Sequence, residues 1–319
     1  MSAAATAPAQ PPARRRRRIS PATRLGILLF CPALVYIAAL VGLPLALAFL
    51  YSVGDVRIGY SVGEIRISSV GYSFVGLDNF RSVLQSPTFR RALLNSFVFT
   101  ISSQLIVIVS ANVLALALRE PFRGRGLVRF FLLLPWVAPI SLGAIGWKWL
   151  LDSIYSVVNW VLARLHLVNV FDPPMWLGRP ALAMASVIAV HSWRLIPFST
   201  VILLAGLSSI PKEIPEAAAV DGAGFWRTHL EITLPMMRPI INVAVLFGVV
   251  FTFTDMTAVY ILTRGGPYDT TQVLPSLAFF TGVLGSDLAE GAAISVFLVP
   301  ILVAVAWLML RVAHRAEVV

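Results

Sequence analysis

From Leu25 to Leu50 the chain runs 26 residues without a charge, directly behind the cations Arg14 to Arg18 and Arg24. At 1.5 Å per residue a helix over that run is about 39 Å long, more than the ~30 Å hydrocarbon thickness of a bilayer. The apolar core of a cleavable leader has only about 7 to 15 residues, so this segment is expected to stay in the mature protein as an anchor. Composition agrees: 58% of the 319 residues are hydrophobic and 13% charged, against roughly 25% charged in ordinary soluble domains. A chain of this kind folds across a membrane.

Six segments are long and apolar enough to span: about 25–51, 92–118, 128–151, 181–207, 239–262 and 289–310. Together they predict an all-α polytopic protein whose membrane domain covers 25–313, with a disordered basic stretch at 1–24 and a short tail at 314–319. With the arginine run placed inside, inner segments hold 15 Lys/Arg and outer loops eight, which predicts that both ends are cytoplasmic. The first outer loop, 52–91, alternates apolar and polar residues at Val56-Arg57-Ile58 and Glu64-Ile65-Arg66-Ile67-Ser68, with Gly59, Gly63 and Gly71 as punctuation. That pattern predicts a small hairpin. Trp136, Trp147, Trp149 and Trp160 read as interfacial anchors.

Between the fourth and fifth spans lies an inner loop, 208–237, that is too specialised for a plain connector. Pro215 suits the start of a helix, Glu216 sets negative charge at the positive end of the helix dipole, and Ala217 to Ala219 are strong helix formers with almost no side chain. Gly222 or Gly224 can end the turn at positive φ. The expected product is a short, smooth, stiff peg. A second helix follows from about Phe225 to Leu234, with Trp226, Leu230, Thr233, Leu234 and Met237 at helical spacing for the membrane interface, before Pro235 and Pro239 separate it from span five.

The series Glu216-Ala217-Ala218-Ala219-Val220-Asp221-Gly222-Ala223, with Leu234-Pro235 and Pro239 behind it, resembles the EAA loop of binding-protein-dependent ABC importer permeases. Gly76-Leu77-Asp78-Asn79-Phe80, Asn95-Ser96, Gly265-Gly266-Pro267 with Thr270-Thr271, and Gly291 to Val296 resemble the carbohydrate branch, relatives of the maltose, trehalose and glycerol-phosphate permeases. The resemblance covers about 25–313. It implies a type I importer (MetI-like) fold in a bacterial plasma membrane, a second homologous permease, two copies of a cytoplasmic ATPase, and an external substrate-binding lipoprotein. It also implies that Glu216, Ala217, Ala218, Asp221, Gly222 and Ala223 couple the pore to the ATPases.

The sequence checks one part of that division of labour. A P-loop needs Gly-Lys-Ser/Thr, whereas the only lysines, Lys148 and Lys212, follow Trp147 and Pro211. No cofactor is expected in this chain; ATP and Mg would be bound by the partner subunits. No enzyme chemistry is expected either. Gly59-Tyr60-Ser61-Val62-Gly63 matches a nucleophile elbow in letters only, because no α/β sheet surrounds it. There is no metal-ligand cluster of His or Cys, Cys31 reads as a packed small apolar residue, and the arginine run has no basic folded surface beside it for nucleic acid.

Ionisable groups at membrane depth cost upward of about 2.5 kcal/mol and so face a partner or a water-filled cavity. His191, Arg194, Thr252, Asp255 and Tyr260 are the expected lining of a sugar path, with Trp193 as an aromatic surface. The competing reading pairs Arg194 with Asp255 as a structural ion bridge. Gln104, Ser110 and Asn112 are ranked as interhelical packing. The remaining functional alternative is an ion-coupled secondary transporter using Asp255 and His191 as relay groups, which leaves the cytoplasmic peg without a purpose.

Overall fold

The computed structural model describes residues 21–57, 59–61, 64–66 and 73–316. The expectations placed on residues 1–20, on Ile58, Gly63, Ile67, Ser68 and Gly71 and on the last three residues lie outside it. The chain divides into two compact units, Met1–Leu47 and Ala48–Val319. In the first, helix α1 (Pro21–Ile37) passes through a π turn (Ala38–Gly42) into α2 (Leu43–Ser52). Cys31 is exposed here rather than packed, as are Phe30 and Leu34. A lone apolar helix has no core of its own in which to bury them.

The second unit opens with four very short strands. β1 (Gly54–Asp55) pairs antiparallel with β4 (Ser73–Phe74), and β2 (Gly59–Ser61) with β3 (Glu64–Arg66). The expected hairpin therefore exists, with its first arm at 59–61 instead of 56–58. Arg57 forms an isolated bridge to Asp287, and the Asn79 amide donates to the Ser52 and Gly54 carbonyls. Ser61, the elbow-like serine, sits in a three-residue strand.

Helix α3 (Asp78–Gln85) leads into α4 (Pro87–Ala117), 31 residues long and capped by the Ser86 hydroxyl on the Phe89 N–H. Its buried positions, Ala92, Ser96, Phe99, Ser103, Val107, Ala111 and Ala115, recur at three or four and are mostly small. Small residues let helix backbones approach closely where water gives no hydrophobic drive. The partner is α8 (Pro180–Ser209), which buries Ala183, Val187, Ser199, Leu203 and Gly206; this pair is the most extensive helix packing in the unit. Three apolar clusters follow α4 along its length, around Phe89, around Phe99 and around Ala111 with Ala115.

Two predicted spans are not single helices. The third breaks into α5 (Arg125–Val137) and α6 (Ile140–Leu150), bent by 97°; Ala138, extended at φ −64° and ψ 143°, precedes Pro139, which disfavours helix at that residue. After α7 (Val157–Arg164) and α8, the connection to α12 holds α9 (Glu213–Val220), then a rod made of α10 (Phe225–Arg227), a π segment (Thr228–Thr233) and α11 (Leu234–Met236). The rod bends by 70° into α12 (Arg238–Phe253). The fifth predicted span thus ends at Phe253, and α13 (Thr257–Leu262) is a separate helix begun by the Asp255 carboxylate, which accepts from the Thr257 N–H at 2.7 Å. An aspartate side chain bonding two residues ahead replaces the helix ladder locally.

The chain closes with α14 (Leu274–Phe279), a π turn (Phe280–Leu284) and α15 (Leu288–Ala316). Among the described residues, four helices are long and apolar enough to cross a membrane, or up to six if each bent pair is one crossing. Gly282 and Gly291 let the π turn and α15 touch backbone to backbone: a Cβ on Gly291 would lie 2.4 Å from the Gly282 Cα. Over-filling a packed contact costs about 1–3 kcal/mol, more where backbone must move. Gly291→Val is expected to lower the thermal midpoint of the detergent-solubilised protein, while Gly146→Val, where a Cβ meets nothing within 4 Å, leaves it unchanged.

Candidate coupling surface and translocation path

Helix α9 begins at Glu213, two residues before the expected start, so Pro215 falls in the first turn, where a missing N–H removes no intrahelical bond. Its far end is fixed by backbone geometry. The Ala223 N–H donates to the Ala218 carbonyl (2.9 Å) and the Gly222 N–H to Ala219 (3.1 Å), with Gly222 at φ +79° and Gly224 at −69°. That is a Schellman stop, and of the two glycines only Gly222 occupies the left-handed position. Glu216, Ala217, Asp221 and Gly222 are exposed, Ala223 is half-buried, and Ala218 is buried at 6%, turned toward the π segment. Val220, 87% exposed, continues outward to Phe225, Trp226 and Leu230. A groove beside the helix is lined by Arg119, Glu120, Leu207, Lys212 and Glu216. The six residues named from sequence therefore fall on one short helix and its glycine stop, exposed except at Ala218 and Ala223, with an apolar extension and a charged border.

Inside the bundle the path residues separate into groups. His191 (1% exposed) and Thr252 (1%) lie at the centre of a buried network. The imidazole Nδ1–H donates to Asp255 Oδ2 at 2.9 Å, Nε2 lies 3.0 Å from the Thr252 hydroxyl, and Gln104 Nε2 donates to that same hydroxyl at 3.0 Å. Thr252 also bonds back to the Gly248 carbonyl at 2.7 Å. Gly248 makes room for the glutamine: a Cβ there would lie 2.2 Å from Gln104 Oε1. Helices α4, α8 and α12 are thus tied together at one depth.

The Arg194–Asp255 pairing expected as the alternative is absent. Arg194 shares a face of α8 with His191, but its side chain runs to the α5–α6 break, where its guanidinium carbon sits 5.6 Å from the centre of the Trp136 ring. Trp136 in turn stacks on Phe198. A cleft at the break is lined by Pro135, Pro139, Gly143, Trp193, His191 and Arg194. Tyr260 stands apart, packed on Phe279 and Phe280. Gln104 and Asn112, ranked as packing, both make specific bonds, Asn112 to His229. Their only sequence signal was a polar side chain at membrane depth.

At the opposite end of α4 a clasp joins segments about 175 residues apart. The Asn95 amide donates to the Thr270 and Gln272 carbonyls (3.0 Å each), Arg91 to the Tyr268 carbonyl, and the Ser96 hydroxyl accepts from the Leu274 N–H at 2.8 Å. Thr263 and Thr271 bond to each other across the loop at 2.7 Å.

A bundle of broken and unbroken apolar helices, with one smooth helix projecting between α8 and α12, defines the fold of a multi-pass transport subunit. Residues 108–318 match the family described as "Binding-protein-dependent transport system inner membrane component", and this chain belongs to that family. It is 34% identical to the trehalose/maltose transport system permease protein MalF of Thermococcus litoralis over 70% of this chain and 74% of that one. It is 30% identical to the diacetylchitobiose uptake system permease protein DasB of Streptomyces coelicolor, covering 91% and 87% respectively. Among solved structures, a bacterial ABC transporter involved in import of the acidic polysaccharide alginate aligns with a TM-score of 0.74 at 22% identity, over 93% of this chain and 96% of that one, which establishes the fold.

Removing one partner of a buried polar pair leaves the other unsatisfied at a cost of about 1–3 kcal/mol, whereas replacing both by apolar groups is close to neutral. Asp255→Leu is accordingly expected to lower thermal stability in detergent, and His191→Leu combined with Asp255→Leu to recover most of the loss. A double variant less stable than the single would show that the pair is not mutually compensating.

Proposed function

We propose that this chain is one permease of an ATP-driven importer that brings a carbohydrate, such as a disaccharide or a related polyol derivative, across the bacterial plasma membrane. It forms half of the path with a second homologous permease. Two copies of a cytoplasmic ATPase drive it, and an external binding protein delivers the substrate. Both chain ends face the cytoplasm. The sugar class is supported by the trehalose/maltose and diacetylchitobiose relatives, and the binding protein by an aligned alginate transporter solved in complex with a pentasaccharide-bound periplasmic protein.

The observation that carries the reading is α9. Eight residues, three of them alanines in a row, end in a Schellman turn that fixes the peg's length, and small exposed side chains allow another protein's groove to close over the backbone. Glu216 and Asp221 add negative charge for basic groups of an ATPase. Closure of the ATPase dimer on ATP then drags α9 and the rod behind it. An ion-coupled carrier could use His191 and Asp255 but has no use for such a peg.

In this reading His191, Thr252 and Asp255 satisfy one another while the path is closed, and their hydrogen-bonding groups become available to sugar hydroxyls when α8 and α12 part. Arg194, stacked over Trp136 beside the α5–α6 cleft, offers a second polar and aromatic surface.

Gly222→Val puts a β-branched residue at φ +79°, where only glycine is unstrained. No atom lies within 4 Å of the added Cβ, so the membrane core is untouched. We expect Gly222→Val and Glu216→Lys to leave normal amounts of membrane-inserted chain but to abolish ATP hydrolysis stimulated by the loaded binding protein. Full stimulation in purified mutant complexes would overturn the docking role. For the path, the stability-restored pair His191→Leu with Asp255→Leu is expected to remain deficient in sugar uptake by whole cells; normal uptake would reduce these residues to packing.

A further inference from the structure

Residue 229 is the one place where the rod behind α9 makes a side-chain hydrogen bond to α4 among the described residues. Much of the rod looks outward: Phe225, Trp226 and Leu230 are exposed, and Arg227 pairs with Glu231 on the surface at 3.0 Å. His229 is 5% exposed, and its Nε2–H donates to Asn112 Oδ1 at 3.0 Å. The inward aim comes from the π segment Thr228–Thr233, which buries His229 and Thr233 together. Single π turns inside helices re-aim side chains and recur at functional positions. The Phe225 ring lies nearly parallel to the imidazole, at 11°.

The bond is only half of what the two side chains can make. His229 Nδ1 and Asn112 Nδ2 are both buried with no hydrogen-bond partner. Buried polar atoms of this kind are rare in native structures, and both side chains have a second orientation, by imidazole flip or amide flip, that exchanges the atoms presented. The contact is therefore satisfied incompletely in the arrangement described here and is open to re-pairing in another.

What lies on the far side of the contact gives it consequence. Asn112 is two turns, about 12 Å, along α4 from Gln104, and Gln104 is the α4 member of the buried His191–Thr252–Asp255 network. The apolar cluster of Ala111, Ala115, Leu207 and Met237 holds the same stretch of α4 against the elbow between rod and α12.

We infer that the His229–Asn112 hydrogen bond is the joint through which displacement of α9 and its rod is passed to α4 and, by way of Gln104, to the buried network that closes the path. The inference rests on the proposed function, since it takes an ATPase as the source of displacement. His229 and Asn112 are positioning residues that touch neither substrate nor nucleotide. A joint with two hydrogen-bonded arrangements transmits movement because each end biases the same equilibrium.

The test uses the whole importer purified through a tag on this chain, in a Cys31→Ser background, with Ser192→Cys as a thiol reporter beside His191. ATP with vanadate is the only ligand needed. With the native joint, trapping is expected to raise maleimide labelling of the reporter about tenfold, in the range of ordinary coupling energies. His229→Leu and Asn112→Leu should each remove that rise while the ATPases still co-purify. The two together should be no worse than either alone, and His229→Gln, which keeps a donor at the Nε2 position, should restore most of it. An unchanged rise in the leucine variants, additive losses, or loss of the ATPases from the complex overturns the joint. No rise with the native joint overturns the link to the buried network. Failure of the docking reading is seen separately: Glu216→Lys would then keep the full rise.

Discussion

A bilayer core offers a peptide group no hydrogen-bond partner, so each backbone N–H and C=O there must be satisfied by the chain itself. That constraint turns the apolar runs of this sequence into helices and decides where the helices are allowed to fail. At the Thr254–Met256 break a side chain meets one of the freed groups: Asp255 accepts from the Thr257 N–H. The same residue then holds His191. One carboxylate thus starts α13 and anchors α8.

Several polar side chains obey the same accounting, although the Thr100 and Ser103 hydroxyls on α4 are buried without a partner. Along α4 they occur at three levels: Asn95 and Ser96 in the clasp with residues 270–274, Gln104 in the His191 network, and Asn112 at the rod. Between those levels the helix buries small and apolar residues against α8. Helix packing in lipid gives general adhesion, while the polar levels fix depth and register because sliding by a turn would strand each of them. A 31-residue helix with contacts at both ends and the middle is mechanically suited to report the movement of one end at the other.

In the function proposed above, work is divided between a part that must be exposed and a part that must be closed off. Helix α9 has a turn of three alanines with almost no side-chain volume and an end defined by backbone bonds, which suits contact with a partner. The His191–Asp255 pair has the opposite character. It is shielded, mutually satisfied and costly to separate, which suits a barrier that opens only when force is applied.

Hydropathy and length are local properties, so the residue order alone marks the chain as helical and membrane-spanning. It places α9 to within two residues, because helix propensity and first-turn charge are written in consecutive positions, while leaving the stop open between Gly222 and Gly224. It also picks out His191, Thr252 and Asp255 as polar groups at depth. Their partners follow from the packed fold. Whether Asp255 meets His191 or Arg194 depends on the direction each leaves α8 and on the early end of α12, and that end is set by a competition between a helix ladder and a side-chain cap. Asn112 and His229, 117 positions apart, meet because a π turn rotates one of them inward, and the α5–α6 bend comes from two prolines whose effect on a long apolar run depends on what packs against it. Local chemistry chose the elements; the pairing of distant side chains was chosen by which atoms the packed helices leave without water.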